Sequence, residues 1–436
     1  MVKHLPGNRS QDGRYRRIEA FIDVEEALSQ LIPRITVDRK VVGKRTRQAM
    51  WHVLAEDIYA LRDSPPLHMS HVDGFAARSD DLQRASQDAP VSLIVLGSIG
   101  PGESGLKLPQ GYVYRIHTGG YLPLGADTVI PQEDVRTDGS KILASRPYSA
   151  LENVVPAGSD VRRGELVARS GEVLMPAKAS LLESLGKYEV KVCAPLRVSV
   201  LSFGDELTDD PAEAGRGKVL NTHAALISEM LRGLCCEPVK MQIVPDRREA
   251  VHDSLSAAIG ESDLVITIGG SSVGDIDLVG AEMRRMAEVF LQGLKLQPGR
   301  VGGAAVIEGK PVIMLPGLIH STVNVFNYLA APIIAHMLQM SLEQLILRIE
   351  AVMGERVEFY RWLDFRRIVW VTLKKVLGLG FVAKPNVADA SNISSISFSH
   401  GYVEVPPHKA VVEVGEKVTV SVPLWMNRGA IIVAGS

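Results

Sequence analysis

The stretch Asp263-Leu-Val-Ile-Thr-Ile-Gly-Gly-Ser-Ser-Val-Gly-Asp-Ile-Asp277 decides how this chain is read. Residues 264–268 are an unbroken run of aliphatic and β-branched side chains, bounded by an acid and by paired glycines. A run with no polar face predicts a strand buried on both sides, as in a parallel sheet. Gly269, Gly270 and Gly274 allow a tight turn and a close approach of the backbone to a ligand. Ser271 and Ser272 add hydroxyls, and Asp275 and Asp277 add carboxylates. From Ile276 onward, Leu278, Ala281, Met283, Met286 and Val289 recur at helical spacing. A strand, a Gly/Ser turn and a helix N-terminus make an anion site, because unpaired N–H groups converge there. A purely structural turn has the same composition, so the stretch alone leaves both readings open.

The same alternation continues on either side. Residues 196–202, 239–244 and 311–315 predict strands, and residues 222–234, 247–259 and 320–340 predict helices. Leu226, Ile227, Met230, Leu231 and Leu234 form the buried stripe of the first of these helices. Strands and helices that alternate with short connections predict a doubly wound, mostly parallel α/β domain over residues 195–341. Its functional loops should lie at strand C-termini: residues 203–206, 269–277 and 316–321.

The flanks differ in texture. Residues 62–152 carry short strand-like runs, including 91–96 and 111–116, between Gly and Pro turns, which predicts an inserted β-rich module. Residues 15–61 and 153–194 enclose it as a discontinuous linker or dimerisation domain, with helices expected at 18–32 and 177–185 and Gly186 as a C-cap. After Ser341, alternating runs at 346–352, 368–373, 401–405 and 410–422 predict a small C-terminal β-barrel over 342–436.

Totals narrow the function classes. A chain of 436 residues fits roughly three domains. A net charge of −2 with both signs interspersed argues against nucleic acid or a membrane as the default partner, while leaving room for a local basic cluster. Cys193, Cys235 and Cys236 form no Cys-x-x-Cys pair, so neither a disulfide framework nor a thiolate zinc site is expected, and a reducing cytoplasm fits. The polar, basic first residues lack the apolar core of a secretory signal. His68 and His71 have no third ligand at suitable spacing, and loop histidines account for them.

Taken in order, the chain's motifs resemble the molybdopterin molybdenumtransferase family, whose animal relative is the E domain of gephyrin. The family's Met-Asp-Gly-Tyr-Ala is similar to Val72-Asp-Gly-Phe-Ala76. Its Thr-Gly and Gly-Ala-Asp pieces resemble Thr118-Gly-Gly and Gly125-Ala-Asp127, and its Gly-x-Asp and Gly-x-x-Leu resemble Gly158-Ser-Asp160 and Gly171 to Leu174. Thr-Gly-Asp-Glu-Leu is similar to Phe203-Gly-Asp-Glu-Leu207, and Gly-Gly-Val-Ser-x-Gly-x-x-Asp to the turn from Gly269 to Asp277. Pro-Gly-Asn-Pro-x-Ser resembles Pro316-Gly-Leu-Ile-His-Ser321, and a Ser-rich run ending Asn-Gly-Leu resembles residues 391–402.

There are departures. The family's Lys-Pro-Gly-Lys reads Gln297-Pro-Gly-Arg300 here, and Pro-Gly-Asn-Pro reads Pro316-Gly-Leu-Ile319. An asparagine is replaced at Met69 and another at His400. Arg and Lys differ in geometry, so the basic box is retained only in part. The chain resembles a divergent member.

The resemblance implies insertion of molybdate into adenylylated molybdopterin, with release of AMP and dependence on Mg²⁺. It implies Asp73, Thr118, Asp160, Glu206 and Asp277 as catalytic residues. It implies a pterin cradle of Gly269, Gly270, Ser271, Ser272, Gly274 and Asp275, together with Pro298, Gly299, Arg300, Pro316, Gly317 and Ser321. Asp205, Glu206 and Asp277 are the implied cation ligands, since hard oxygen donors beside phosphates suit Mg²⁺. Molybdate needs cations or N–H donors, for which Arg300, Lys295, Lys218 and Arg216 are candidates. The family's site lies between subunits, so a homodimer is expected. Three rivals stay open: a paralogue that binds molybdopterin or acts as a scaffold without turnover, a tungstate-inserting enzyme, and a dehydrogenase. The last lacks any strand–Gly-x-Gly-x-x-Gly–helix unit.

Overall fold

A computed structural model describes residues 18, 20–100, 102–270, 277–386 and 389–426. At its centre is a six-stranded sheet in the order Cys236–Val244, Leu196–Phe203, Leu264–Gly269, Lys310–Leu315, Gly303–Ile307, Val289–Gln292. The first four strands run parallel. The last two add an antiparallel edge.

Successive residues of a strand face opposite sides of the sheet. Ile266 and Ile268 enter one apolar cluster with Val198, Val200, Ile313 and Leu315. Val265 enters another with Leu201, Phe203, Val312 and Met314. Helices Thr222–Gly233, Ile319–Val325 and Ala331–Leu338 cover the first face. Helices Arg248–Glu261 and Leu278–Met286 cover the second. This two-sided burial is the physical reason the central strand carries no polar face.

Three local differences from the expected pattern have identifiable causes. The helix expected to continue to Val289 ends at Met286, and Val289 opens an edge strand opposite Val306. The helix expected from residue 18 begins only at Val24, because Ile22 is held extended against Leu294. The long helix expected over 320–340 is interrupted by a π-turn, Phe326–Ala330, that ends two residues before Pro332, which has no N–H to give the helical ladder.

Residues 74–144 form a second six-stranded sheet, ordered Thr128–Pro131, Gly74–Ala77, Tyr112–Ile116, Val91–Ile99, Lys141–Ala144, Val135–Asp138. The chain on either side of it is stitched together by two short antiparallel pairs, Val41–Arg45 with Glu189–Cys193 and Ile58–Tyr59 with Leu166–Ala168. Toward the C-terminus, Arg366–Val376, Gly380–Pro385, Ile346–Met353, Lys417–Pro423 and Gly401–Val405 pair in that order, and the last returns to the first. The result is a closed five-stranded barrel filled by Val369, Val371, Val403 and Val420 among others. The strand expected over 410–422 is divided into Val411–Val412 and Lys417–Pro423, with Gly415 at a φ of +81° between them.

The barrel docks on the α/β part through backbone pairing of Leu296–Gln297 with the start of Arg366–Val376. Asn324 adds a side-chain tie: its amide donates to the Pro298 carbonyl at 3.0 Å, and its oxygen accepts from the Trp370 indole at 3.3 Å. Asn324 is fully buried, so both of its polar ends need these partners.

Candidate functional site

The C-terminal ends of the parallel strands meet at one edge of the central sheet. Gly269 has a φ of +77°, and a Cβ there would lie 2.8 Å from the Phe203 carbonyl. Gly270 has a φ of +67°, and a Cβ there would lie 2.3 Å from Val279 Cγ2. Only glycine lets the turn press this closely against the neighbouring strand and the following helix. Gly317, after the Lys310–Leu315 strand, adjoins this turn at ordinary contact distance: a Cβ would sit 3.8 Å from the Gly269 Cα. Ser271, Ser272, Gly274 and Asp275 lie outside the described residues.

Asp277 closes the turn. Its Oδ1 accepts the Gly280 N–H at 2.8 Å, which caps the helix Leu278–Met286. Its Oδ2 accepts from Gln292 Nε2 at 2.9 Å, which ties the cap to the edge strand. Both carboxylate oxygens are therefore engaged within the protein.

Carboxylates gather beside the glycine turn. Asp205 and Glu206 are exposed and follow Gly204 at the end of Leu196–Phe203. The Glu206 carboxylate folds back so far that a Cβ on Gly204 would lie 2.5 Å from its Oε2. Asp205 Oδ1 accepts the Asp246 N–H at 3.2 Å, and its carbonyl accepts from Lys218 Nζ at 2.6 Å. Asp246 stands at the end of the next strand. Burial, with the charges of Asp205 and Glu206 added, holds its pKa above the ordinary aspartate value. Sequence reasoning missed Asp246. The rule that singled out Asp205 and Glu206, an acid just past a buried parallel strand, applies equally to Pro245-Asp246.

Among the described residues, no group of three His, Cys, Asp or Glu side chains forms a ready metal cage. The exposed pair Asp205 and Glu206 offers hard carboxylate oxygens without the His or Cys nitrogen and sulfur that zinc favours. It is compatible with Mg²⁺, which uses one or two carboxylates and takes its other ligands from water and phosphate.

A second constellation lies in the 74–144 sheet. Asp73 Oδ1 accepts both the Thr118 N–H at 2.7 Å and the Thr118 hydroxyl at 3.0 Å. His117 Nδ1 is 3.8 Å from the same oxygen. The Thr118 N–H first, then its hydroxyl, and the nearby His117 and Arg115 hold the Asp73 pKa below its usual value. Asp160 is placed apart from this pair, where its Oδ2 accepts from Ser64 Oγ at 3.1 Å.

The altered boxes face the barrel. The Arg300 guanidinium lies 4.4 Å over the Trp362 ring, a cation–π contact with a barrel residue. Pro298 is held by Asn324, and Gly299 turns back to accept from the Gly302 N–H at 2.9 Å. Ser321 is buried in the helix Ile319–Val325. Its neighbour His320 is only 5% exposed, and Nε2 faces Ser395 Oγ and the Asn392 carbonyl. Burial lowers the His320 pKa, so the ring is held neutral. Among the basic candidates, Lys218 sits on the Asp205 carbonyl, and Lys295 is 3.5 Å from Asp23.

Three family models match most of the chain. Residues 22–186 match the family model for the MoeA N-terminal region, domains I and II. Residues 199–336 match a probable molybdopterin binding domain, and residues 355–422 the MoeA C-terminal region, domain IV. The molybdopterin molybdenumtransferase of Haemophilus influenzae is 30% identical over 72% of this chain and 77% of its own. That of Staphylococcus aureus is 31% identical over 72% of this chain and 76% of its own. A molybdopterin biosynthesis MoeA protein from Pyrococcus horikoshii superposes with a TM-score of 0.79 at 26% identity, covering 92% of this chain and all of that one.

Proposed function

The chain belongs to the molybdopterin molybdenumtransferase family, and on that premise we propose that it inserts molybdate into adenylylated molybdopterin in molybdenum cofactor biosynthesis, releasing AMP. The observation that carries this reading is the meeting of three features at one sheet edge: the Gly269–Gly270 turn, the Gly317 turn, and the carboxylates of Asp205, Glu206 and Asp246. The turns offer backbone N–H groups and a capped helix start to the phosphate of the pterin. The carboxylates would repel that phosphate if bare. Burial raises the Asp246 pKa and the charges of Asp205 and Glu206 add to it, a cluster of negative charge that a divalent cation would relieve.

In this proposal Asp205 and Glu206 would hold Mg²⁺, with Asp246 adding negative charge beside them, and the ion would neutralise charge on the phosphoanhydride as AMP departs. Asp277 positions the turn through its cap. Pro298, Gly299, Pro316, Gly317 and Ser321 shape the wall of the cradle, with Arg300 and Lys218 as the nearby cations. Asp73 and Thr118 belong to a different sheet and satisfy one another. We place them opposite the cradle of a second subunit in a homodimer, with Asp160 at the rim, so that the site is completed across the interface.

The test is direct. Protein supplied with Mg²⁺, molybdate and adenylylated molybdopterin should release AMP and yield a metallated cofactor. Glu206→Ala should reduce AMP release far more than pterin binding. One observation favours a second reading. The only retained cation of the basic box, Arg300, is stacked on Trp362, and Gln297 is neutral. A molybdopterin-binding paralogue without turnover would bind the pterin tightly and show no Mg²⁺-dependent AMP release.

A further inference from the structure

One part of the barrel is built as if for a surface outside the protein. Arg366–Val376 pairs with Gly401–Val405 only from Arg367 to Val371. Beyond that point its partner is Gly380–Pro385. That strand in turn meets Ile346–Met353 only at Val382 and Ala383. The two strands therefore leave the barrel as a two-stranded ribbon. At its tip the Leu379 N–H bonds to the Val376 carbonyl at 3.1 Å, and Gly378 and Gly380 take φ of +77° and +83°.

The tip is apolar and bare. All of residues 374–380 are exposed. Leu377 is 104% exposed and Leu379 59% exposed, with Val376 beside them. A soluble surface gains nothing from leucines held in water at the end of a ribbon. The two charged residues next to them in the chain, Lys374 and Lys375, are both positive. Of the other bases on these strands, Arg366 pairs with Glu25 and Glu404, Arg367 is buried, and Lys384 lies 3.8 Å from Glu355. Lys374 and Lys375 stand directly behind the leucines.

We propose that the ribbon tip, residues 374–380, docks on an anionic lipid surface, with Leu377 and Leu379 entering the headgroup boundary and Lys374 and Lys375 meeting the headgroups. The size of the feature selects this occupant over a protein. A stable protein interface needs about 800 Å² from each side, beyond what seven residues at a turn supply. A lipid surface needs no matching shape, and its attraction adds residue by residue. No helix among the described residues is long and apolar enough to cross a membrane, so the contact is peripheral.

The experiment uses the full chain and phosphatidylcholine vesicles with and without phosphatidylglycerol. The protein should co-sediment with the anionic vesicles, and added salt should weaken binding. Leu377→Ser with Leu379→Ser should reduce partitioning at least about tenfold. Lys374→Gln and Lys375→Gln should each reduce it about fivefold. Because the tip is outside the core, these variants should keep the melting temperature and the AMP release of the parent. A Leu377→Trp probe should shift its emission to the blue on anionic vesicles only. Equal partitioning to neutral vesicles, or no loss in the leucine variant, overturns the proposal. So does a blue shift that follows protein concentration without vesicles, which would mean a second copy covers the tip.

Discussion

Asp73 and Thr118 are joined twice, by the Thr118 N–H at 2.7 Å and its hydroxyl at 3.0 Å, both on Asp73 Oδ1. Asp73 immediately precedes the strand Gly74–Ala77 and Thr118 follows its antiparallel neighbour Tyr112–Ile116, where Gly74 stands opposite Ile116. The carboxylate is half exposed, so the pair adds little to stability and is free to meet a ligand.

Removing the hydroxyl tests that pair. Thr118→Ala keeps the backbone bond and loses about 1 kcal/mol of positioning, so AMP release should fall about five- to tenfold. Stability should change by less than about 0.5 kcal/mol, as for other exposed sites. The Asp73 pKa is depressed, so its charged form persists as pH falls below the ordinary value of 3.8. In the variant the acid limb of the pH–rate profile should move upward, since the lost bond had favoured the carboxylate.

Gly270→Ala should destabilise the protein by about 1–3 kcal/mol in urea unfolding, because its φ of +67° is strained for alanine and its Cβ would strike Val279. The unfolding slope should be unchanged, which separates native strain from a change in the unfolded chain.

Asp246→Asn should raise the melting temperature at neutral pH in the absence of Mg²⁺. The sign follows from its raised pKa. The unfolded chain ionises this group more easily than the folded one does, so the penalty is absent below the ordinary value of 3.8 and grows as pH rises through the raised one. The gain should vanish in acid. Mg²⁺ should stabilise the parent more than the variant; equal stabilisation would remove Asp246 from the proposed cation site.

His320→Leu should cost about 1–3 kcal/mol, because Ser395 and the Asn392 carbonyl lose a buried partner. In the parent, burial depresses the pKa, so the contribution of this group is complete above the ordinary value of 6.5 and is lost as pH falls through the lower folded value. Thermal melts across that range should show a smaller slope in the variant.

Much of the architecture was legible because it rests on local pattern. The run 264–268 had no polar face, and the strand is indeed buried on both sides. Alternation over 346–352 and 401–405 announced barrel strands. The ends of elements were less legible. Val289 continued a helical spacing, and only its pairing with Val306 assigns it to a strand. Nothing local to residues 320–340 marks a π-turn except Pro332, whose missing N–H is absorbed by the preceding residues.

At the site, local chemistry pointed to the glycines of the turn and to Asp205-Glu206, because φ and strand position can be inferred from residue type and context. It could not show that Asp277 spends both oxygens on Gly280 and Gln292, or that Arg300 lies on Trp362. Those contacts join residues from separate elements. The sequence by itself determined which segments bury two faces and where the chain must turn on glycine, since both follow from side-chain pattern and backbone sterics. Only the tertiary structure decided which polar groups satisfy each other and which remain open to a ligand. Those pairings depend on distances in space that sequence separation does not encode.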